Sequence, residues 1–405
     1  MRALVTSLPL HGHTNPLLRL VRALVERGEE VTVVSTPPFE SSIRAAGAHY
    51  RFYANPFLAN LATLPGRTEQ LSWLLMKTTA EILTTNLAAT RAEKPDYVIT
   101  DSLAPWGQWI GQILRVPVVT SITTFAFNRH VLALAASRGA RPKNAGLLWS
   151  KLHHVGKAAL LARRLRRTHG VAGMGPIESV MGHSALNLVY TSRLFQPRAE
   201  TFDDHYQFIG PGLGESDATP AAASEPPDAR PLVYVSLGTL FNNRIDFYTQ
   251  CIEAFADQPV RVLIAIGDHV SAEALGTLPS NVTVRAHVDQ LAVLQGAAAF
   301  VSHGGMNSVS ESLMAGVPLV VVPQMSEQQL VGSQVAALGA GVCLAGAPGT
   351  SAALREAVTR VMRSEDCRRH ARRIGQSLTD AGGTTRGAAC VLAFAAAHAE
   401  KRPRV

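Results

Sequence analysis

A chain of 405 residues, 47% hydrophobic and 17% charged, is long enough for two or three domains with closed cores and too apolar for a disordered or fibrous protein. Its 38 Lys and Arg against 30 Asp and Glu leave +8, an excess that suits phosphate-bearing ligands, nucleic acid or anionic surfaces without choosing among them. Cys251, Cys343, Cys367 and Cys390 stand far apart with no CxxC pair, which argues against a disulfide framework and a zinc knuckle and predicts a reducing, cytoplasmic compartment. The apolar start at residues 3–8 meets Pro9 and His11 before a secretory core is complete, and no apolar run long enough to span a membrane follows.

Residues 3–8 read as a buried strand. Asn15-Pro16 then opens a periodic segment, Leu17, Leu18, Leu20, Val21, Leu24 and Val25, that predicts a helix ending near Gly28. The β-branched run at 31–35 makes a second strand, and a βαβ unit of this kind needs parallel strands covered by helices on both faces. A helix at 39–46, a strand at 50–52, a helix at 69–91, a strand at 96–101 with Asp101 at its carboxyl end, a helix at 104–114 and a strand at 117–121 continue the pattern. Residues 126–185 are helical and less regular, and strands resume at 188–191. One α/β domain is therefore expected over 1–211.

Residues 212–230, rich in Pro, Gly, Ala and acid, have linker composition. The alternation restarts beyond them, with strands expected at 232–237, 260–266, 282–286, 298–302 and 319–323 and helices at 245–255, 291–294 and 307–315. A second α/β domain is expected over 231–385. The stretch 351–399 is helical with a break near Gly382-Gly383, and its last part, within 386–405, is placed to return to the first domain. Two facing Rossmann-like domains would line a cleft with the carboxyl ends of their strands, where open α/β sheets bind ligands.

The chemistry should sit there. His11 and His13 occupy the corner after the first strand. An imidazole at such a corner can take a proton at neutral pH, although two histidines at i and i+2 also suit a metal pair or plain loop polarity. Asp101 can orient that imidazole by hydrogen bonding, or cap the next helix. No GxGxxG follows the first strand, which weakens a nicotinamide or flavin reading. The glycines lie later. Ser236-Leu237-Gly238-Thr239 is a strand followed by a flexible, hydroxyl-bearing turn. Ser302-His303-Gly304-Gly305-Met306-Asn307-Ser308 is a strand, a glycine turn and a helix start, whose unpaired N–H groups and dipole favour a phosphate. Glu311, one turn into that helix, suits ribose hydroxyls, and Glu327 and Gln328 after the next strand suit sugar hydroxyls.

With these motifs the chain resembles family 1 glycosyltransferases of the bacterial macrolide and natural-product branch. The resemblance spans essentially the whole chain. Its most specific piece runs from His287-Val288-Asp289-Gln290 through His303-Gly304-Gly305-Met306-Asn307-Ser308, Glu311 and Gly316-Val317-Pro318 to Glu327-Gln328. It implies a GT-B fold whose N-terminal domain binds the acceptor and whose C-terminal domain binds the nucleotide sugar. By the same resemblance His13 is the catalytic base and Asp101 its supporting acid. His303, Gly305, Asn307 and Ser308 surround the diphosphate, with Thr239 in the other phosphate loop. Glu311 holds the ribose, Gln290 with His287 and Val288 lies on the nucleobase side, and Glu327 and Gln328 hold the sugar. Plant members carry tryptophans at the positions of His287 and Met306.

The implied reaction is an inverting, metal-independent transfer of a hexose, glucose from UDP-glucose by the family's commonest use, to a phenolic, steroid or macrolide acceptor, by a monomer with no cofactor. Apolar side chains at 53–80, among them Phe57, Leu58, Leu61, Leu64, Leu71, Trp73, Leu74, Leu75 and Met76, and at 125–165, among them Phe125, Phe127, Leu147, Leu148 and Trp149, would wall the acceptor or pack a core. Lys157, Arg163, Arg164, Arg166 and Arg167 form a solvated helix face or a contact with anionic lipid. That run carries no aromatic, which argues against nucleic-acid binding. A sterol, carotenoid or lipid glycosyltransferase, a thymidine-diphosphate deoxysugar enzyme and an inactive partner protein of the same fold are the competing readings. An epimerase fits less well.

Overall fold

The computed structural model describes residues 1–54, 70–138, 145–173, 184–212, 229–239, 241–344 and 349–400, and for residue 138 and residues 145–151 the backbone alone. The expected linker lies largely outside these residues, as do Phe57, Leu58, Leu61 and Leu64. The chain divides into two compact units, one of residues 1–213 with 381–405 and one of residues 214–380.

The first unit runs β1 (Arg2–Thr6), α1 (His11–Val25), β2 (Glu30–Ser35), α2 (Glu40–Ala45), β3 (His49–Phe52), α3 (Leu71–Glu93), β4 (Tyr97–Asp101), α4 (Pro105–Leu114), β5 (Val118–Ile122), α5 (Arg129–Arg138), α6 (Ala145–His169), β6 (Leu186–Val189) and β7 (Tyr206–Phe208). Its strands form one parallel sheet in the order β3-β2-β1-β4-β5-β6-β7. Successive strand residues point to opposite faces, so Val5 and Ile99 join Leu17, Leu20, Val21 and Leu24 of α1 in one core. Their neighbours Leu4 and Val98 join Leu75, Ile82, Trp106 and Trp109 in the other. Burial on both faces explains why these strands read as continuous apolar runs. Helix α4 lies close on the sheet at Gly107, where a Cβ would stand 2.3 Å from Thr100 Oγ1 and 2.4 Å from Thr6 Oγ1.

The second unit runs β8 (Leu232–Ser236), α7 (Ile245–Phe255), β9 (Arg261–Ala265), β10 (Val282–Arg285), α8 (Gln290–Gly296), β11 (Ala297–Ser302), α9 (Met306–Met314), β12 (Leu319–Val321), α10 (Ser326–Ala337), β13 (Gly341–Cys343), α11 (Ser351–Arg363) and α12 (Glu365–Asp380). Its strands form a parallel sheet in the order β10-β9-β8-β11-β12-β13. The last helix, α13 (Gly383–Ala399), belongs to the first unit: Ala388, Val391 and Ala395 enter the core beneath α1, and the Gly383 N–H donates to the Ile209 carbonyl at 2.6 Å.

Four features depart from the expected elements. Helix α1 starts at His11, upstream of Asn15-Pro16, because the N–H groups of His13 and Thr14 both bond the Leu10 carbonyl, at 2.9 and 2.8 Å, and close a first turn ahead of the proline. Strands β7 and β13 were not expected, being three residues each and too short for a periodic signal. Helix α10 was missed for another reason: its polar sequence is interrupted by Gly332. A Cβ there would stand 2.7 Å from Cys343 Sγ and 2.8 Å from Val321 Cγ1, so the glycine that weakens the helix signal is what lets α10 lie on β12 and β13. Among the described residues no helix is long and apolar enough to cross a membrane.

In each sheet the strand order reverses at one place, between β1 and β4 and between β8 and β11. The carboxyl ends of strands flanking such a reversal are where doubly wound sheets bind ligands. His13 follows β1 and Asp101 ends β4, while Gly238 follows β8 and His303 follows β11.

Candidate active site

In the first unit, His13 Nδ1 lies 2.9 Å from Asp101 Oδ2, with the histidine side chain 12% exposed and the carboxylate fully covered. The other carboxylate oxygen, Oδ1, accepts the Leu103 N–H at 2.8 Å. Asp101 therefore closes the turn after β4 and orients the imidazole at once. The cap position of α4 is Ala104, with no side-chain bond, so the alternative of Asp101 as helix cap does not hold. A carboxylate facing Nδ1 keeps the proton on that nitrogen and the lone pair on Nε2, the arrangement a general base needs. Thr123 Oγ1, just past β5, stands 3.2 Å from the same Nδ1. The preceding loop is held by Ser7 Oγ and Thr14 Oγ1, 3.2 Å apart, and by the Tyr53 hydroxyl donating to the Ser7 carbonyl at 3.2 Å. His11 turns away, its ring 5.1 Å from that of Phe39, so the two histidines do not form a pair. Among the described residues no three His, Cys, Asp or Glu side chains cluster as metal ligands would.

In the second unit two glycines lie close against the Cε1–Nε2 edge of the His303 ring. A Cβ on Gly305 would stand 2.4 Å from its Nε2, and one on Gly238 2.6 Å from its Cε1. Gly238 also takes φ +75°, which disfavours any side chain. Burial pushes the imidazole down to about 4, against a smaller upward pull from the Ser236 backbone, so His303 is neutral at pH 7. Its Nδ1 is buried and has no hydrogen-bond partner among the described residues. Beside it Gly305 caps α9 with no side-chain bond, and Asn307 and Ser308 sit half-buried in the first turn. Exposed Thr239 follows Gly238, whose carbonyl accepts from Asn242 Nδ2 at 2.9 Å. Polar N–H groups and an imidazole converging beside glycines suit an anion.

One turn further, Gln290 Nε2 donates to Glu311 Oε2 at 2.5 Å and to Ser308 Oγ at 3.2 Å. Asp289 caps α8 by accepting the Ala292 N–H at 3.1 Å, which fixes Gln290 at the helix start, and Val288 before it is half-buried. His287 is exposed, with Nε2 2.7 Å from Asp268 Oδ1. Met306 is 5% exposed and belongs to the core. Glu327 and Gln328 are half-buried in the first turn of α10, where Gln328 Oε1 accepts the Gln324 N–H at 2.8 Å. Gly304, at φ +90°, admits the Gln328 carbonyl 3.1 Å from where its Cβ would be, which sets the start of α10 against the His303 turn.

The structure thus gathers His13 with Asp101, and Gln290 with Ser308 and Glu311, and brings Gln328 beside the His303 turn. Sequence reasoning missed Thr123, Tyr234, Asn242 and Asp268. Thr123 was the most accessible of them, since it follows the strand next to Asp101. Of the apolar residues expected around an acceptor, Leu74, Leu75, Met76 and Phe125 are buried in the core, at 7%, 0%, 0% and 2% exposure, while Leu71, Trp73 and Phe127 are half-buried. The side chains of Leu147, Leu148 and Trp149 lie outside the described residues. On α6, Lys157, Arg163, Arg164 and Arg167 are exposed, together with Leu152 and Leu160, and Arg166 is half-buried.

Comparison with known proteins agrees with this architecture. Residues 250–381 match the family model described as erythromycin biosynthesis protein CIII-like, C-terminal domain. The chain is 34% identical over 390 residues to the NDP-glycosyltransferase YjiC of Bacillus subtilis (strain 168), covering 96% of each. It is 31% identical over 398 residues to the demethyllactenocin mycarosyltransferase of Streptomyces fradiae, covering 93% of this chain and 82% of that one. The crystal structure of CalG4, the calicheamicin glycosyltransferase, superposes with a TM-score of 0.79 at 31% identity, covering 97% and 98% of the two chains. Two Rossmann-like sheets, with likeness to such enzymes along the whole chain, define a glycosyltransferase of GT-B fold. The chain belongs to family 1 of these enzymes, among the relatives of the bacterial natural-product and macrolide glycosyltransferases.

Proposed function

We propose that the chain transfers glucose from UDP-glucose to a hydroxyl of a hydrophobic natural product, giving a β-O-glycoside with inversion. The observation that carries this reading is the His13–Asp101 pair at the strand reversal of the first unit. His13 Nε2 takes the proton of the acceptor hydroxyl as its oxygen bonds C1 of the sugar, and the bond from C1 to the diphosphate oxygen breaks on the opposite face. Asp101 holds the imidazolium that results. In the second unit the first-turn N–H groups of α9 and the His303 imidazole meet the charge that grows on the departing diphosphate, with Thr239, Asn307 and Ser308 around it, so the step needs no metal. Gln290, expected on the nucleobase side, lies against Glu311, and a carboxylate and an amide side by side suit the two vicinal hydroxyls of a ribose and favour uridine over its 2′-deoxy counterpart. The exposed ring of His287, with Val288, flanks the base, and Glu327 and Gln328 take the sugar hydroxyls.

A second reading, a thymidine-linked deoxysugar donor, is favoured by the likeness to the mycarosyltransferase. Mass spectrometry of product formed from UDP-glucose and a panel of phenols, flavonoids, steroids and macrolides, with EDTA present, tests the proposal. A hexose-shifted product is expected. No product with the uridine donor, and product with a thymidine-linked deoxysugar, would shift the assignment to the second reading.

A further inference from the structure

The Tyr234 side chain stands behind the Glu311 cluster and is not accounted for by packing alone. It comes from β8, is 1% exposed, and stacks on Phe300 with ring centroids 4.7 Å apart and planes 16° apart. Its hydroxyl donates to Gln290 Oε1 at 3.2 Å. A side-chain amide can present either its oxygen or its NH₂ in a given direction, and the two ends are nearly equal in shape. With Oε1 engaged by the phenol, Nε2 faces Glu311 and Ser308. The reversed amide would turn an oxygen toward the Glu311 carboxylate, a repulsive contact. We propose that Tyr234 is a positioning residue for the nucleotide-sugar donor: by holding the Gln290 amide in one orientation it presets Gln290 and Glu311 to receive the ribose hydroxyls.

The phenol can serve this purpose across the working pH range, because burial, with a smaller push from the Glu311 charge, carries it up to about 12 against the downward pull of the Ser236 side chain, and it stays an O–H donor. The Tyr234 hydroxyl meets Gln290 and the Ser236 side chain at the end of β8. Acting through Gln290, it bears on ligands that carry ribose hydroxyls. This inference rests on the reading of the second unit as the donor site.

The test compares wild type with Tyr234→Phe, which keeps the ring stacked on Phe300, by calorimetric titration with UDP, 2′,3′-dideoxy-UDP and inorganic pyrophosphate. The wild type is expected to prefer UDP to its dideoxy analogue about tenfold. Tyr234→Phe should weaken UDP about fivefold to tenfold and the dideoxy analogue less than twofold, so that the preference collapses while pyrophosphate affinity stays unchanged. In turnover, KM for the donor should rise by the same factor and kcat should fall less than twofold. Gln290→Met supplies an independent arm: it should weaken UDP as much as Tyr234→Phe does, and the double variant should be no weaker than either single one. Unchanged UDP affinity in Tyr234→Phe, or equal weakening of all three ligands, overturns the proposal alone. Absence of UDP binding in the wild type overturns the donor reading and this inference with it.

Discussion

Asp101 places Oδ2 2.9 Å from Nδ1 of His13 while its Oδ1 accepts the N–H of Leu103, so one buried carboxylate fixes both a backbone turn and an imidazole. Asp101→Asn separates the two functions. The amide can keep its oxygen toward Leu103 but then offers an NH₂ to Nδ1, which must carry the lone pair, leaving the proton on Nε2 and no base toward substrate. We expect kcat to fall about 10²- to 10⁴-fold, the worth of general-base catalysis, with the larger loss expected where the wrong tautomer is enforced and with the thermal midpoint changed little. Steady-state kinetics and thermal unfolding of the variant check this. Retained turnover would place the base elsewhere.

Gly305→Ala should displace His303. The added methyl would stand 2.4 Å from Nε2, closer than such atoms can approach, so the ring or the turn must shift. Affinity for UDP should fall about tenfold or more, the worth of a hydrogen bond to a charged group, while transfer at saturating donor falls less. Calorimetric titration gives the first value and initial-rate kinetics the second.

His303 also predicts a pH dependence. Its folded value of about 4 lies below the ordinary 6.5, so between those limits the unfolded chain binds a proton that the folded chain does not. Stability conferred by the neutral ring is complete above pH 6.5 and is lost as pH falls toward 4, at up to roughly 1.4 kcal/mol per pH unit. Denaturant unfolding at pH 7, 6 and 5 should show a shallower loss for His303→Gln than for the wild type. A diphosphate beside the ring favours its charged form, so UDP binding near pH 6 should take up protons, measurable as a calorimetric enthalpy that varies with the buffer's ionisation enthalpy.

The His13–Asp101 pairing was legible in the sequence because each residue ends or follows a strand that reads as a short apolar run, and parallel connections bring those ends to one side of a sheet. The His303 turn was legible for a similar reason: glycines between a strand and a helix start mark a close backbone approach. Tyr234 was not, since nothing local separates it from Tyr97, buried in the same kind of strand with its hydroxyl on Glu29 instead. Asp268 was invisible because its partner His287 is distant in sequence, and Asn242, bonded to the nearby Gly238 carbonyl, lies in no patterned motif. The acceptor side chains were over-read. Leu74, Leu75 and Met76 have the composition of a pocket wall, but helical spacing turned them into the core.

Gly107→Ala offers a check on the fold itself. The methyl would meet the Thr6 and Thr100 hydroxyls, which are bonded to each other at 2.8 Å on the central strands. Overpacking of this kind should cost about 1–3 kcal/mol, read as a lowered denaturation midpoint at unchanged m-value.

The most direct test of the account is a pair of assays on His13→Ala: turnover with UDP-glucose and an accepted hydroxyl compound, and calorimetric titration with UDP. The account predicts transfer reduced by a factor of about 10³ or more, with UDP affinity within twofold of wild type, because the base belongs to the first unit and the nucleotide to the second. Transfer that survives the substitution, or UDP binding that is lost with it, would contradict the role assigned to His13.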